Sequence, residues 1–407
     1  MNFFTRGMTI PKKKFLAVIF LFSSTFAWFY IFYYYFNEMF SPSISGESWT
    51  FQLLFLVFMV ISAFIGSIIS EKVNRKNFLF FWIIFGILSL IPIPFITSNE
   101  LLTIFMILIG FSLGLGFPSC MAFIAESTTP DERGRVSGVV VCVAFFLAIF
   151  GLFLIPALNL EPIGILVVLI LLKSTAFLSF LMDPLDRAKG EPKRWKFVLG
   201  YKSFDYYILA FIMFCIAASL VNILWGIFYS DPEYEAVTQI AQMIRYVGIG
   251  FFALIAGILA DRIGRKKPII LGLLLLGIAY TIVILISTPG TYFVNLIVSG
   301  FAWGVLFTVF LVIPGDLAFS GSTERYFATG WLLAISMFVG ITALGDLFSE
   351  SIPFNFVSWM LTIIIFAAIL PVLAATETLS ESKIRQRRFK DYTEKVGKIV
   401  LESKKEK

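Results

Sequence analysis

The chain has 407 residues, of which 59% are hydrophobic and 14% charged, with a formal net charge of +6 and no histidine. A soluble protein carries about 25% charged residues, so this composition belongs to a chain whose solvent is mostly lipid. The missing histidine excludes His-based zinc sites, Ser/His/Asp triads and a histidine proton relay. Cys120, Cys142 and Cys215 lie singly inside apolar runs, which implies neither a disulfide framework nor a Cys-based metal site.

A helix needs about 20 apolar residues to cross the hydrocarbon. Twelve runs qualify, at 15–36, 49–70, 78–97, 101–125, 135–158, 163–182, 204–229, 237–260, 268–287, 291–315, 327–349 and 355–375. The first follows Arg6 and Lys12 to Lys14 like the start of a signal peptide, but it is too long and no small-residue cleavage site follows; it reads as a retained helix. Strands of a barrel would alternate over about 10 residues, so the fold class is all-α, a twelve-span integral membrane protein. Phe51, Phe55, Phe58 and Phe64 of the second run read as lipid-facing or packing groups.

Loop charge orients the spans. All Lys and Arg except Lys173 and Arg245 fall in 1–14, 71–77, 126–135, 183–203, 261–267, 319–326 and 376–407. With twelve spans these segments share one side. The opposite loops hold acids only, among them Glu38, Glu47, Glu100, Glu161 and Asp231. Cytoplasmic loops carry the Lys/Arg excess, so both termini are expected in the cytoplasm and the protein in the cell membrane. Cations spread over seven loops form no single face for nucleic acid. The organisation expected is a cytoplasmic N-terminus (1–14), a six-helix half (15–182), a polar central loop broken by Pro and Gly (183–203), a second six-helix half (204–375) and a charged tail (376–407). The tail reads either as a helix lying on the anionic inner leaflet or as a solvated segment.

The two halves look duplicated. Gly257-Ile-Leu-Ala-Asp261-Arg262-Ile-Gly264-Arg265-Lys266-Lys267-Pro268 has a fainter copy from Ser67 through Glu71, Lys72, Asn74 and Arg75. The chain reverses there in about six residues, so a residue tolerant of positive φ is needed; Gly264 supplies it, and Asn74 is among the few others able to. Asp261 is able to accept bonds from the N–H groups of a neighbouring helix N-terminus or from an Arg on an adjacent loop. Such contacts exist in one arrangement of the halves, which makes them a latch; the alternative is a plain basic turn. Glu126, Glu132-Arg133-Gly134-Arg135 and Gly138 are echoed by Asp316, Glu324-Arg325 and Gly330.

These motifs resemble the major facilitator superfamily over the chain from Phe15 to Ala375. The resemblance implies a secondary transporter of two parallel halves, working by alternating access around a central site. It implies a gate of Glu71, Arg75, Glu126, Arg133, Arg135, Asp261, Arg262, Gly264, Arg265, Asp316 and Arg325, with Glu126 meeting Arg75 and Asp316 meeting Arg265. The run from Gly114 through Pro118, Glu126, Pro130 and Arg135 looks like the sugar-porter and metabolite–proton symporter branches. Span four lacks the Arg, and span five the Gly-Pro run, of drug–proton antiporters, and span one lacks the Asp of sugar porters.

A charge near the midplane is a functional candidate. Arg245 in span eight reads either as a contact to a carboxylate or phosphate or as a structural pair with Asp346. Lys173 in span six is a weaker candidate, since a Lys is able to snorkel. Asn222, Trp225, Gln242, Trp28, Tyr30 and Tyr34 are plausible lining, the aromatic ones equally packing or interfacial groups. Glu38 and Asp346 are the coupling candidates. The function expected is secondary active transport of a small polar metabolite or organic anion, coupled to protons or another ion, by a monomer surrounded by lipid, with no cofactor, metal or catalytic residue. Multidrug efflux is one alternative, and a transporter-like sensor or scaffold another.

Overall fold

The structure is a computed structural model that describes residues 8–40, 48–96, 98–186, 194–229, 232–286, 288–348 and 354–379. Among the described residues there is no strand. Among these residues twelve helices are long and apolar enough to cross a membrane: α1 (Lys12–Tyr34), α2 (Trp49–Lys72), α3 (Arg75–Phe95), α4 (Asn99–Ser127), α5 (Arg133–Ala157), α6 (Pro162–Met182), α7 (Lys202–Val221), α8 (Met243–Ile263), α9 (Lys266–Leu285), α10 (Pro289–Leu317), α11 (Thr323–Leu344) and α12 (Phe356–Ala374). Each falls on one of the apolar runs. In hydrocarbon every backbone polar group must be satisfied by the protein itself, and the α-helix does this within one segment.

Local signals set the ends. Ser98 caps α4 by accepting from the Leu101 N–H at 3.4 Å. Thr288 and Thr291 form a capping box ahead of α10, with Pro289 in its first turn. The two basic turns differ. Gly264 has φ 92°, as the tight reversal requires. Asn74 instead has φ −63° and caps α3 by accepting from the Asn77 N–H. The expectation of a left-handed residue at Asn74 is therefore corrected: a cap closes that turn, so no positive φ is needed.

The halves repeat in three dimensions. α2 packs along α4, and α8 along α10. A Cβ built on Gly110 would lie 2.2 Å from the Phe55 carbonyl oxygen, and one on Gly114 1.9 Å from that of Met59. Shifted by 190 positions, the offset that separates Glu71 from Asp261 in the loop motifs, the contacts recur: Gly300 against the Arg245 oxygen at 2.7 Å, and Gly304 against that of Ile249 at 2.6 Å. Small residues let backbones approach where no hydrophobic force drives helices together. Arg245 thus holds the place that Phe55 holds in the first half.

Between the halves, α5 lies along α8 and α2 along α11. The backbones of Gly134 and Gly257 nearly touch, a Cβ on Gly257 falling 2.3 Å from the Gly134 oxygen. The central loop contains a short helical turn, Trp195–Val198, where only a polar linker was expected. Val198 is fully buried against Phe204 and Tyr326. The tail beyond residue 379 lies outside the described residues.

Gly114→Val forces a branched side chain into the Met59 carbonyl. The expected result is loss of the monodisperse peak in detergent gel filtration, while Gly290→Ala, where a Cβ meets nothing within 4 Å, elutes as wild type.

Candidate functional site

The basic loops converge at one end of the bundle and bury their charges there. Arg75 is 2% exposed and sits between two carboxylates. Its Nη1 and Nη2 donate to Glu126 at 3.0 Å each, and Nη2 also donates to Glu324 of the other half at 2.7 Å. Arg325 returns the link, its Nε and Nη2 donating to both Glu71 oxygens at 2.6 and 2.5 Å. The Arg325 guanidinium also lies 5.2 Å from the Trp195 ring centroid, over the linker turn.

A second cluster joins α5 to α8 and α10. Asp261 accepts from the backbone N–H groups of Gly134 and Arg135 at 2.9 and 3.0 Å, which are first-turn groups of α5. The Arg135 Nε donates to it at 3.0 Å, and Arg265 reaches it from its own half at 3.1 Å. The Arg265 Nε donates to Asp316 at 2.8 Å, while Arg133 donates to the other Asp316 oxygen at 2.5 Å across the interface. The Arg265 Nη2 donates to the Pro130 carbonyl at 2.6 Å. Gly264 is buried, and Arg262 half-buried, in the same turn.

The Glu126–Arg75 and Asp316–Arg265 contacts within each half are those the resemblance implied. The links across the interface, Arg75 to Glu324 and Arg133 to Asp316, were not foreseen. Their signal was present in the repeat of Glu132-Arg133 as Glu324-Arg325. The two acids of that repeat diverge in use. Glu324 turns inward to Arg75, whereas Glu132 accepts from the N–H and hydroxyl of Thr9 and the N–H of Ile10, just ahead of α1. The other end of the chain docks likewise. Glu377 accepts from the N–H groups of Arg265 and Lys266 at 2.7 and 3.1 Å, and Thr378 donates to Asp316 at 3.0 Å.

Above these charges, aromatic rings fill the space between the halves. Phe22 and Phe26 of α1, Phe117 of α4, Phe145 of α5, Phe307 of α10 and Trp331 of α11 touch at centroid distances such as 5.2 Å for Phe26–Phe307 and 5.7 Å for Phe117–Trp331. Trp331 stands in a π-turn at Ala328–Leu332, a local widening of the helix that re-aims a side chain.

The sequence-derived lining residues separate. Tyr30 lies between the halves, 5.9 Å from the Tyr246 ring. Trp28 faces α6 inside the first half, fully buried. Tyr34 is exposed. The side chains of Asn222, Trp225, Gln242, Glu38 and Asp346 lie outside the described residues. Lys173 does not snorkel. It is 1% exposed, with Nζ 3.9 Å from the Trp82 centroid, 5.1 Å from that of Trp28 and 3.4 Å from the Thr25 hydroxyl. Gly86 leaves room for its stem, since a Cβ there would lie 3.1 Å from the Lys173 Cε. Arg245 is half-buried, its guanidinium 5.7 Å from the Trp303 ring centroid. Among the described residues its Nε has no hydrogen-bond partner.

Two pseudo-symmetric six-helix halves, meeting at one end through buried charge pairs, define a class of membrane transport protein. The sequence profile of the Major Facilitator Superfamily matches residues 15–238 and 234–401, so the chain belongs to that family. It is a multi-pass secondary transporter of a small molecule, not an enzyme. No curated protein matches its sequence. Among solved structures it is similar to the human organic anion transporter TETRAN, at 13% identity and a TM-score of 0.67, over 90% of this chain and 100% of that one. It is also similar to a bacterial homologue of the iron transporter ferroportin in an outward-facing state, at 11% identity and a TM-score of 0.70, over 89% and 98%.

Burial acts to raise the Glu132 carboxyl, and the bonds from Thr9, Thr129 and Ile10 overcome it, leaving the group below its ordinary value. A lowered folded-state value contributes stability that is present above the unfolded value and is lost as pH falls through the folded one. The melting temperature of the wild type is therefore expected to fall on acidification more steeply than that of Glu132→Gln.

Proposed function

We propose that the protein moves a small polar metabolite, an organic anion, across the cell membrane by rocker-switch alternating access, with both termini in the cytoplasm. The observation that carries this reading is the set of ion pairs bridging the halves at the basic end. Positive charge marks that end as cytoplasmic. Buried pairs of this kind bind one arrangement of the halves and must come apart for the other. Asp261, Arg265, Arg133, Asp316, Arg75, Glu324, Glu71 and Arg325 are then the gate, closed toward the cytoplasm. Arg245, deep in the second half and bonded to no carboxylate among the described residues, is the contact for the anion. The likeness to an organic anion transporter supports the same substrate class. The likeness to a bacterial homologue of the iron transporter ferroportin supports the fold, and among the described residues no group of three or more Cys, Asp or Glu is placed to hold a metal ion. Glu38 and Asp346 remain the groups for proton coupling, and the working unit is a monomer in lipid.

The test begins with thermal stabilisation of the purified protein by a metabolite panel, in wild type and Arg245→Ala. A stabilising anion is then carried into proteoliposome uptake. Asp261→Asn, which keeps the shape and halves the charge-assisted bonds, is expected to elute as a folded monomer and to take up that anion at least tenfold more slowly, for about 1.4 kcal/mol or more of lost interaction. Wild-type uptake by Asp261→Asn removes the gate.

A further inference from the structure

Three spans of the second half bring together hydrogen-bond donors that no acceptor among the described residues meets. They are the Nε–H of Arg245 on α8, the O–H of Tyr280 on α9 and the Nε1–H of Trp303 on α10. Tyr280 is 2% exposed and Trp303 7%. The Trp303 indole N–H is aimed at the Tyr280 oxygen, and the same hydroxyl feels the Arg245 charge; neither contact closes into a hydrogen bond of ordinary geometry. The close crossing at Gly300 seats the Arg245 backbone against α10, and its guanidinium lies over the Trp303 ring. Buried polar groups in proteins are normally paired, and leaving one unpaired is unfavourable. Three converging donors, unpaired among the described residues, mark a place for an acceptor-rich group from outside the chain.

Resting on the anion reading above, we infer that the substrate is a monocarboxylate carried on a flat apolar body, held by Arg245, Tyr280 and Trp303. The donor set lacks an acceptor partner, which suits a carboxylate: two oxygens with about four lone-pair sites. The planar guanidinium presents the matching fork. One cation faces the site among the described residues, so one negative charge is neutralised. The walls are aromatic. Trp303 meets Phe214 edge-on at 4.8 Å and Phe338 at 5.6 Å, which favours a ring over a hydrated polyol. The arrangement therefore selects on charge number and on the apolar body together.

The experiment uses the full chain in detergent, with benzoate as the probe and benzamide, acetate and phthalate as controls, read as the ligand-induced shift in melting temperature. Benzoate is expected to stabilise the wild type saturably. Benzamide, which lacks the charge, acetate, which lacks the body, and phthalate, which carries a second charge, are expected to be at least tenfold weaker. Tyr280→Phe removes one oxygen and keeps the ring. It is expected to melt as the unliganded wild type does and to bind benzoate at least tenfold more weakly. Equal binding of benzoate and benzamide, or wild-type benzoate affinity in Tyr280→Phe, overturns the inference. If phthalate or a phosphate ester stabilises better than benzoate and loses that effect in Arg245→Ala, the monocarboxylate inference falls and the anion reading stands. If no anion depends on Arg245, both fall.

Discussion

A charge placed inside a membrane protein has to be neutralised by a partner or face water, and this constraint organises the basic end of the molecule. Arg75, Arg265, Glu324 and Asp316 are almost wholly withdrawn from solvent. Each survives there because an opposite charge lies within about 3 Å, the distance at which a charge-assisted bond offsets desolvation. Removing one partner of such a pair typically costs about 3–5 kcal/mol, because the other is left buried and alone. Several of these pairs have one member on each half. The halves are therefore not simply adjacent: the ionisation of the loops and the docking of the bundles depend on one another.

The duplicated chain shows how one half-structure serves two purposes. The α2–α4 and α8–α10 crossings repeat position by position, down to the carbonyl each glycine accommodates. What differs is chemistry at matched sites. Phe55 becomes Arg245, which puts a cation in the second half where the first is apolar. Glu132 and Glu324, matched in sequence, hold the N-terminal segment and Arg75 respectively. The first half keeps its own buried cation, Lys173, but encloses it between Trp82 and Trp28, so that amine braces α1, α3 and α6 instead of facing the other half.

Much of this was legible in the sequence. Run length and the distribution of Lys and Arg determine the twelve spans and their parity, because the membrane admits few alternatives. The contacts of Arg75 with Glu126 and of Arg265 with Asp316 were legible through the family's motif. Across the halves, the acceptance by Asp261 from a helix N-terminus and an adjacent Arg was legible in its chemistry, whereas the pairing of Arg75 with Glu324, Arg133 with Asp316 and Arg325 with Glu71 was not, since it depends on the docking of two bundles and no periodicity encodes that. Asn74 shows the limit of reading one residue at a time: its tolerance of positive φ was noted, and its capping of α3 is what the turn uses. The convergence of Tyr280 and Trp303 on Arg245 was hidden for a related reason. Aromatic residues inside apolar runs are ordinary core by composition, and only the crossing at Gly300 brings them to a cation.

The central claim is that the ion pairs across the interface hold the basic end shut. It is tested most directly by the distance between spin labels on exposed Lys76 and Lys267, which lie at that end on opposite halves, compared by pulsed electron–electron resonance in wild type and Asp261→Asn with the native cysteines kept. The account predicts a single short distance in the wild type and a second, longer population in the variant. An identical distribution in both would contradict it.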